Sequence, residues 1–145
     1  MNKNHSELDK KVGQTIAAGI QVGVRRTFPI SLEQAWGFLT SDEGIRLWIG
    51  DVESLIINEG ESFLSREGVT GQFIVVKPHH QVRLRWRKKE WEQPSTLQIR
   101  LISNPSGKTT ISFHQEKMVH PDTREQMKRH WEEVLNTINE RTRTI

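Results

Sequence analysis

From residue 19 the chain alternates between apolar and polar positions. Ile20, Val22 and Val24, followed by Arg26 and Phe28, predict a first strand that Pro29 ends. Ser31-Leu32-Glu33-Gln34 is a capping-box sequence, with Ser31 as cap and Gln34 reaching back. Leu32, Ala35, Trp36 and Leu39 then share one helical face. Thr40 and Ser41 interrupt, and Asp42-Glu43 sit where the positive end of a second short helix favours acids. That helix presents Ile45, Leu47 and Trp48 before Gly50 stops it. A run of short strands follows, divided by turns at Asn58-Glu59-Gly60, Glu67-Gly68, Lys77-Pro78-His79-His80, Gln93-Pro94-Ser95 and Asn104-Pro105-Ser106-Gly107. Val82, Leu84 and Trp86 alternate with Arg83, Arg85 and Arg87. Leu97, Ile99 and Leu101 alternate with Gln98 and Arg100, and Thr109, Ile111 and Phe113 with Thr110, Ser112 and His114. Such alternation predicts an antiparallel sheet with one buried and one wet face. The chain closes on a long helix opened by Pro121, with Asp122 as cap and Glu125 as its capping-box partner. Met127, Trp131, Val134, Leu135 and Ile138 form its apolar stripe, and Arg141 and Arg143 lie at its negative end.

The expected order is a strand, two short helices, a six-strand meander and one long helix. Only that helix is large enough to cover the apolar face of a sheet of about seven strands. A helix is about 10 Å wide, narrower than such a sheet, so the sheet must curl around it. Curling leaves space between helix and sheet, and the expectation is an α+β fold that encloses an apolar cavity. At 145 residues the chain has the size of one domain, expected over residues 18–145 behind a polar arm at 1–17.

Composition narrows the chemistry. With no cysteine there is no disulfide scaffold, thiolate metal site or cysteine nucleophile. The first fifteen residues hold no apolar run and no stretch approaches eighteen apolar residues. A cytoplasmic protein without signal peptide or membrane insertion is therefore expected. The net charge of +3 is uneven: Lys77 to Arg100 holds seven basic residues against Glu90 and Glu92, which is +5 and leaves −2 for the rest.

Ser31-Leu32-Glu33-Gln34-Ala35-Trp36, then Leu39-Thr40-Ser41 and Leu47-Trp48-Ile49-Gly50, resemble the opening signature of the START-like (SRPBCC) superfamily. Within it the resemblance is to the branch named after the heat-shock protein 90 ATPase activator homologue. Gly71-Gln72-Phe73, Pro78 with Val82-Arg83-Leu84-Arg85-Trp86, and Thr110-Ile111-Ser112-Phe113 are similar to its strand motifs. Trp131-Glu132-Glu133-Val134-Leu135 is similar to its last helix. The resemblance covers roughly residues 19 to 140, and its ordered set of motifs is more specific than any one of them. It implies a helix-grip (START/Bet v-like) fold whose cavity often holds a lipid, sterol, polyketide or other planar apolar compound. Its members include ligand carriers, cyclases, hydroxylase domains and co-chaperone domains, so the fold alone does not assign one activity.

Trp48, Phe73, Trp86, Phe113, Met127 and Trp131 are the candidate ligand-binding residues, although for each taken singly plain core packing is the simpler reading. Trp91 is expected to stand apart from them. The expected ligand is a small hydrophobic or aromatic molecule. Arg83, Arg85 and Arg87 are the candidate partner-binding residues, for an acidic protein partner such as a co-chaperone role would need. Trp86 points away from these arginines, so stacking and phosphate contacts would not share a face, and no nucleic acid is expected. The outer face is read as solvated and partly neutralised by cross-strand acids. The six histidines show no metal-ligand spacing, and neither metal nor cofactor is expected. Inward polar positions are limited to Thr109 and Gln115, while Arg124, His130 and Glu133 are expected to face water. A cyclase-type enzyme would need an inward acid or base, and the pattern places no catalytic residue.

Overall fold

The Ser31 hydroxyl accepts the Gln34 amide at 3.1 Å, and the Gln34 side chain accepts the Ser31 amide at 2.9 Å. This reciprocal pair, read from the sequence, starts the first helix of a computed structural model that describes residues 14–15 and 19–143. The elements are β1 (Gln14–Thr15), β2 (Gly19–Phe28), α1 (Leu32–Leu39), α2 (Asp42–Trp48) and β3 (Ser62–Leu64). They continue with β4 (Thr70–Lys77), β5 (Gln81–Arg87), β6 (Ser95–Ser103), β7 (Thr109–Met118) and α3 (Pro121–Thr142). One antiparallel sheet of seven strands runs β1-β2-β7-β6-β5-β4-β3, curved around α3. This is the helix-grip arrangement. The first long strand lies beside the last, which carries α1 and α2 to one end of the sheet.

Strand parity holds across the sheet. Val82, Leu84, Trp86, Leu97, Ile99, Leu101, Ile111, Phe113 and Gln115 all point to the buried face. The stripe on α3 meets them with Met127, Trp131, Val134, Leu135 and Ile138, as its spacing requires. Burying an aromatic side chain such as Trp131 contributes roughly 4–6 kcal/mol of gross hydrophobic stabilisation, before the entropy of ordering is subtracted.

Four expectations are corrected. The meander after the helices has five strands, because residues 51–61 form no strand; there Val52, Leu55 and Ile57 pack half-buried on the core from a loop. The seventh strand comes instead from Gln14–Thr15, which pair with Ile20 and Gly19. The cap of α3 is His120, without a side-chain hydrogen bond; Asp122 lies inside the first turn, and Glu125 pairs with Arg124 at 2.8 Å. Pro121, whose fixed φ suits the first helical position, starts the helix in place of a capping box. Cross-strand acids do not neutralise the outer arginines: Arg83 lies opposite Val75 and Gln98, and Arg85 opposite Gln72 and Thr96. At the far end, Arg141 meets Glu43 at 3.2 Å and ties α3 to α2.

Candidate functional site

All six candidate ligand residues are fully buried, none more than 2% exposed, and they fall into two groups. Beneath α3, the Trp131 ring stacks on Phe113 from β7, with centroids 5.0 Å apart and planes 15° off parallel. Trp86 from β5 meets Trp131 edge-on at 5.6 Å. Met127 lies one turn before Trp131 on the same helix face. Nearer α2, Trp48 and Phe73 meet edge-on at 6.3 Å, with Phe63 5.5 Å from Phe73. The Trp86 indole N–H donates to the Trp48 carbonyl at 2.8 Å and joins the two groups.

A short polar chain crosses this aromatic floor. The Trp131 indole N–H donates to Gln115 Oε1 at 2.8 Å, and Gln115 Nε2 donates to Ser95 Oγ at 2.9 Å. The Ser95 hydroxyl in turn donates to the Trp86 carbonyl at 2.6 Å. Thr109, the other polar residue expected to face inward, donates to the Ile30 carbonyl at 2.7 Å, and Ser95, which the pattern did not mark as inward, is equally buried. No buried side-chain nitrogen or oxygen among the described residues lacks a partner, which is the condition for polar groups to persist in such a core.

Three residues depart from their expected places. Trp91, in the loop after β5, folds back until its ring is 5.5 Å from Trp86, edge-on and half-buried. Strand parity ends with the strand, so alternation could not locate it; an indole set between Glu90 and Glu92 in a loop was the available signal. Outside Trp91 lies a groove of about 170 Å³ between Gln93 on one side and Met118, Val119 and Thr123 on the other. His130 is half-buried rather than facing water as expected: its ring is 4.5 Å from Trp131 and 6.4 Å from Trp86. Burial, with help from the Lys88 charge, pushes its pKa down to about 4, so it is neutral near pH 7. Arg124 is likewise turned in, donating from Nε to the Gln21 carbonyl at 2.9 Å, whereas Glu133 is exposed.

A larger hollow of about 620 Å³ lies away from the aromatic groups, between α2 and the turn after β3. Asp42, Arg46, Asp51, Glu53 and Arg66 line it, and Arg66 pairs with Asp51 at 3.6 Å. The Asp51 backbone N–H donates to Glu67 at 2.9 Å and holds that carboxyl below its ordinary range. It exceeds the groove outside Trp91 in size, but its charged walls offer an apolar compound little. Among the described residues, no three His, Asp or Glu side chains converge as a metal would need. No helix among them is long and apolar enough to cross a membrane.

The three arginines of β5 separate. Arg83 and Arg85 lie on the outer sheet face, while Arg87 turns into the loop beyond its strand. There its Nη1 donates to the Trp91 carbonyl and faces those of Lys88 and Lys89 at 3.4 and 3.3 Å. Arg87 is thus a clamp on the loop that carries Trp91.

The model of the family described as activator of Hsp90 ATPase homolog 1-like protein matches residues 29–142. No curated protein matches the chain. Among solved structures, CalU16 from Micromonospora echinospora is similar at a TM-score of 0.73 and 17% identity, over 85% of this chain and 74% of that one. DynU16, a protein of the dynemicin biosynthetic locus, superposes at a TM-score of 0.70 and 16% identity. That match takes in 80% of this chain but spans only 44% of DynU16. PFC0360w, an HSP90 activator from Plasmodium falciparum, is similar at a TM-score of 0.59 and 18% identity, over 69% of this chain and 74% of that one. At these identities the likeness is one of fold.

Proposed function

The chain belongs to the Hsp90 ATPase activator homologue 1-like family, and we propose that within it this protein binds a small apolar or aromatic molecule between the sheet and α3. Trp91 is the side chain the ligand displaces on its way in. One observation carries the reading: an unbroken series of ring contacts leads from the surface to the inner face of α3. Trp91 to Trp86 is 5.5 Å, Trp86 to Trp131 is 5.6 Å and Trp131 to Phe113 is 5.0 Å. A planar ligand ring can take the place of one of these rings and keep the same kind of contact.

The groove outside Trp91, at about 170 Å³, is smaller than the roughly 300–1,000 Å³ typical of drug-sized sites. The ligand therefore has few rings, or it enlarges the site by moving Trp91. Polarity restricts it further. Gln115 and Ser95 already exchange hydrogen bonds with Trp131 and Trp86, so a polar ligand atom would have to break a satisfied pair. A mainly apolar compound, bound by a carrier or sensor in the cytoplasm, fits these conditions.

Thr123→Trp tests the reading, because it fills the groove from the first turn of α3 without touching the buried rings. Binding of a fatty acid, a sterol and 2-naphthol is measured by tryptophan fluorescence on the whole chain. Saturable binding of one of them that Thr123→Trp weakens at least tenfold is expected. No binding at millimolar ligand, or binding indifferent to Thr123→Trp, would overturn the reading.

A further inference from the structure

The register of the sheet gathers four arginines on its outer face. Arg25 of β2 lies opposite Ser112 of β7, and Ser112 lies opposite Arg100 of β6. Arg100 lies opposite Gln81 of β5, and Arg83 and Arg85 follow Gln81 on the same face of that strand. With strands about 4.8 Å apart, Arg25 and Arg100 stand roughly 10 Å from each other. Arg83 and Arg85 are about 6.6 Å apart, and Arg83 and Arg100, diagonal neighbours, about 7–8 Å. Arg25, Arg85 and Arg100 are exposed and Arg83 is half-buried. Among the described residues no carboxylate comes within 4 Å of any of the four. The outward acid of the central strands, Glu116, is engaged with His114 at 3.9 Å. Between the arginines lie Gln98 and Ser112, and beside them the partly exposed Val75 and Ile102.

We propose that this face, through Arg25, Arg83, Arg85 and Arg100, is a docking surface for an extended acidic protein segment. Alternate residues of an extended chain are roughly 6.6 Å apart. Carboxylates at every second position therefore match the spacing of Arg83, Arg85 and Arg100, each of which can take one in a bidentate pair. Val75 and Ile102 accept apolar side chains placed among the acids. Shape and chemistry both favour a peptide over nucleic acid. The face is the convex side of a sheet wrapped around α3, and a duplex is itself convex. No tryptophan ring serves it as a stacking platform, since Trp86 points inward and Trp91 packs on Trp86. Arg87 has no part in the surface, being committed to the loop that holds Trp91.

The test is fluorescence anisotropy of the whole chain with a labelled synthetic peptide of about twelve residues carrying Glu at alternate positions, at low salt and at about 0.5 M salt. A Gln-substituted peptide and a single-stranded oligonucleotide of equal length serve as the other arms. The expected result is binding of the Glu peptide that high salt abolishes and that Arg83→Glu with Arg100→Glu weakens at least tenfold. Arg129→Glu, on the exposed face of α3, makes half that change in net charge away from the sheet and should change affinity less than threefold. Both variants must keep the wild-type melting curve, and the single substitution Arg85→Gln, which leaves the fold no new charge, gives a second reading with a smaller loss. No binding at low salt, an equal loss in Arg129→Glu, or tighter binding of the oligonucleotide would overturn the proposal.

Discussion

The Trp131 indole N–H donates to Gln115 Oε1 at 2.8 Å with both side chains wholly buried, so the long helix and the last strand are joined by a polar bond within the aromatic core. Gln115→Leu keeps the volume roughly but orphans the Trp131 N–H and removes the bond that Ser95 Oγ accepts, leaving Ser95 its own bond to the Trp86 carbonyl. An orphaned buried donor costs about 1–3 kcal/mol, and the destabilisation expected from a urea melt is of that order. In a double-mutant cycle with Trp131→Phe the two losses should be clearly less than additive. Additive losses would mean that the bond contributes nothing beyond packing.

Acid should weaken the fold through His130. Its pKa is about 4 in the folded protein, against about 6.5 for the free side chain. The unfolded chain therefore binds the extra proton first. His130 leaves stability unaffected above about pH 6.5, lowers it as pH falls from 6.5 to 4, and adds no further slope below. Thermal melts of wild type against His130→Phe between pH 7 and 4.5 check this. The wild-type curve should fall more steeply, and parallel curves would contradict the burial of a neutral imidazole.

Arg87 and Arg85 are two residues apart, yet they should respond differently to truncation. Arg87→Ala frees the loop carbonyls it holds and should raise acrylamide quenching of tryptophan fluorescence as Trp91 loosens. Arg85→Ala, on the outer face, should leave quenching unchanged.

Two glycines make a steric prediction of opposite signs. A Cβ at Gly71 would lie 2.0 Å from the Arg85 carbonyl oxygen and 2.4 Å from the Phe63 ring, so Gly71→Ala should destabilise strongly or prevent folding. At Gly37, exposed in α1, a Cβ meets nothing within 4 Å. Gly37→Ala should add about 0.5–1 kcal/mol in a thermal or urea melt, through helix propensity.

Much of the fold was legible because it rests on periodicity. Period two in Val82-Leu84-Trp86 and the three-and-four spacing from Met127 to Ile138 assign faces directly, and Ser31 with Gln34 fixes a helix start. Legibility failed where backbone geometry leaves the period. Residues 51–61 carry Val52, Leu55 and Ile57 at strand-like density, but they pack from a loop. The same holds for the site. Trp86, Phe113 and Trp131 were legible as inward residues, whereas Trp91 lies one turn beyond the last alternating position. His130 neighbours Trp131 in sequence, which pattern reading sends to opposite sides of the helix edge, and only the ring geometry reveals the contact. Cross-strand neighbours depend on register, and register cannot be read from one strand alone.

The most direct test of ligand binding beneath α3 is an NMR titration that follows the indole N–H signals of Trp36, Trp48, Trp86, Trp91 and Trp131 against fatty acids, sterols and planar aromatics. Trp91, Trp86 and Trp131 should shift together and saturably with one ligand class. Trp36, which lies on α1 beside His79 with rings 6.1 Å apart, should stay still. Shifts confined to Trp36, or none at millimolar ligand, would contradict the account.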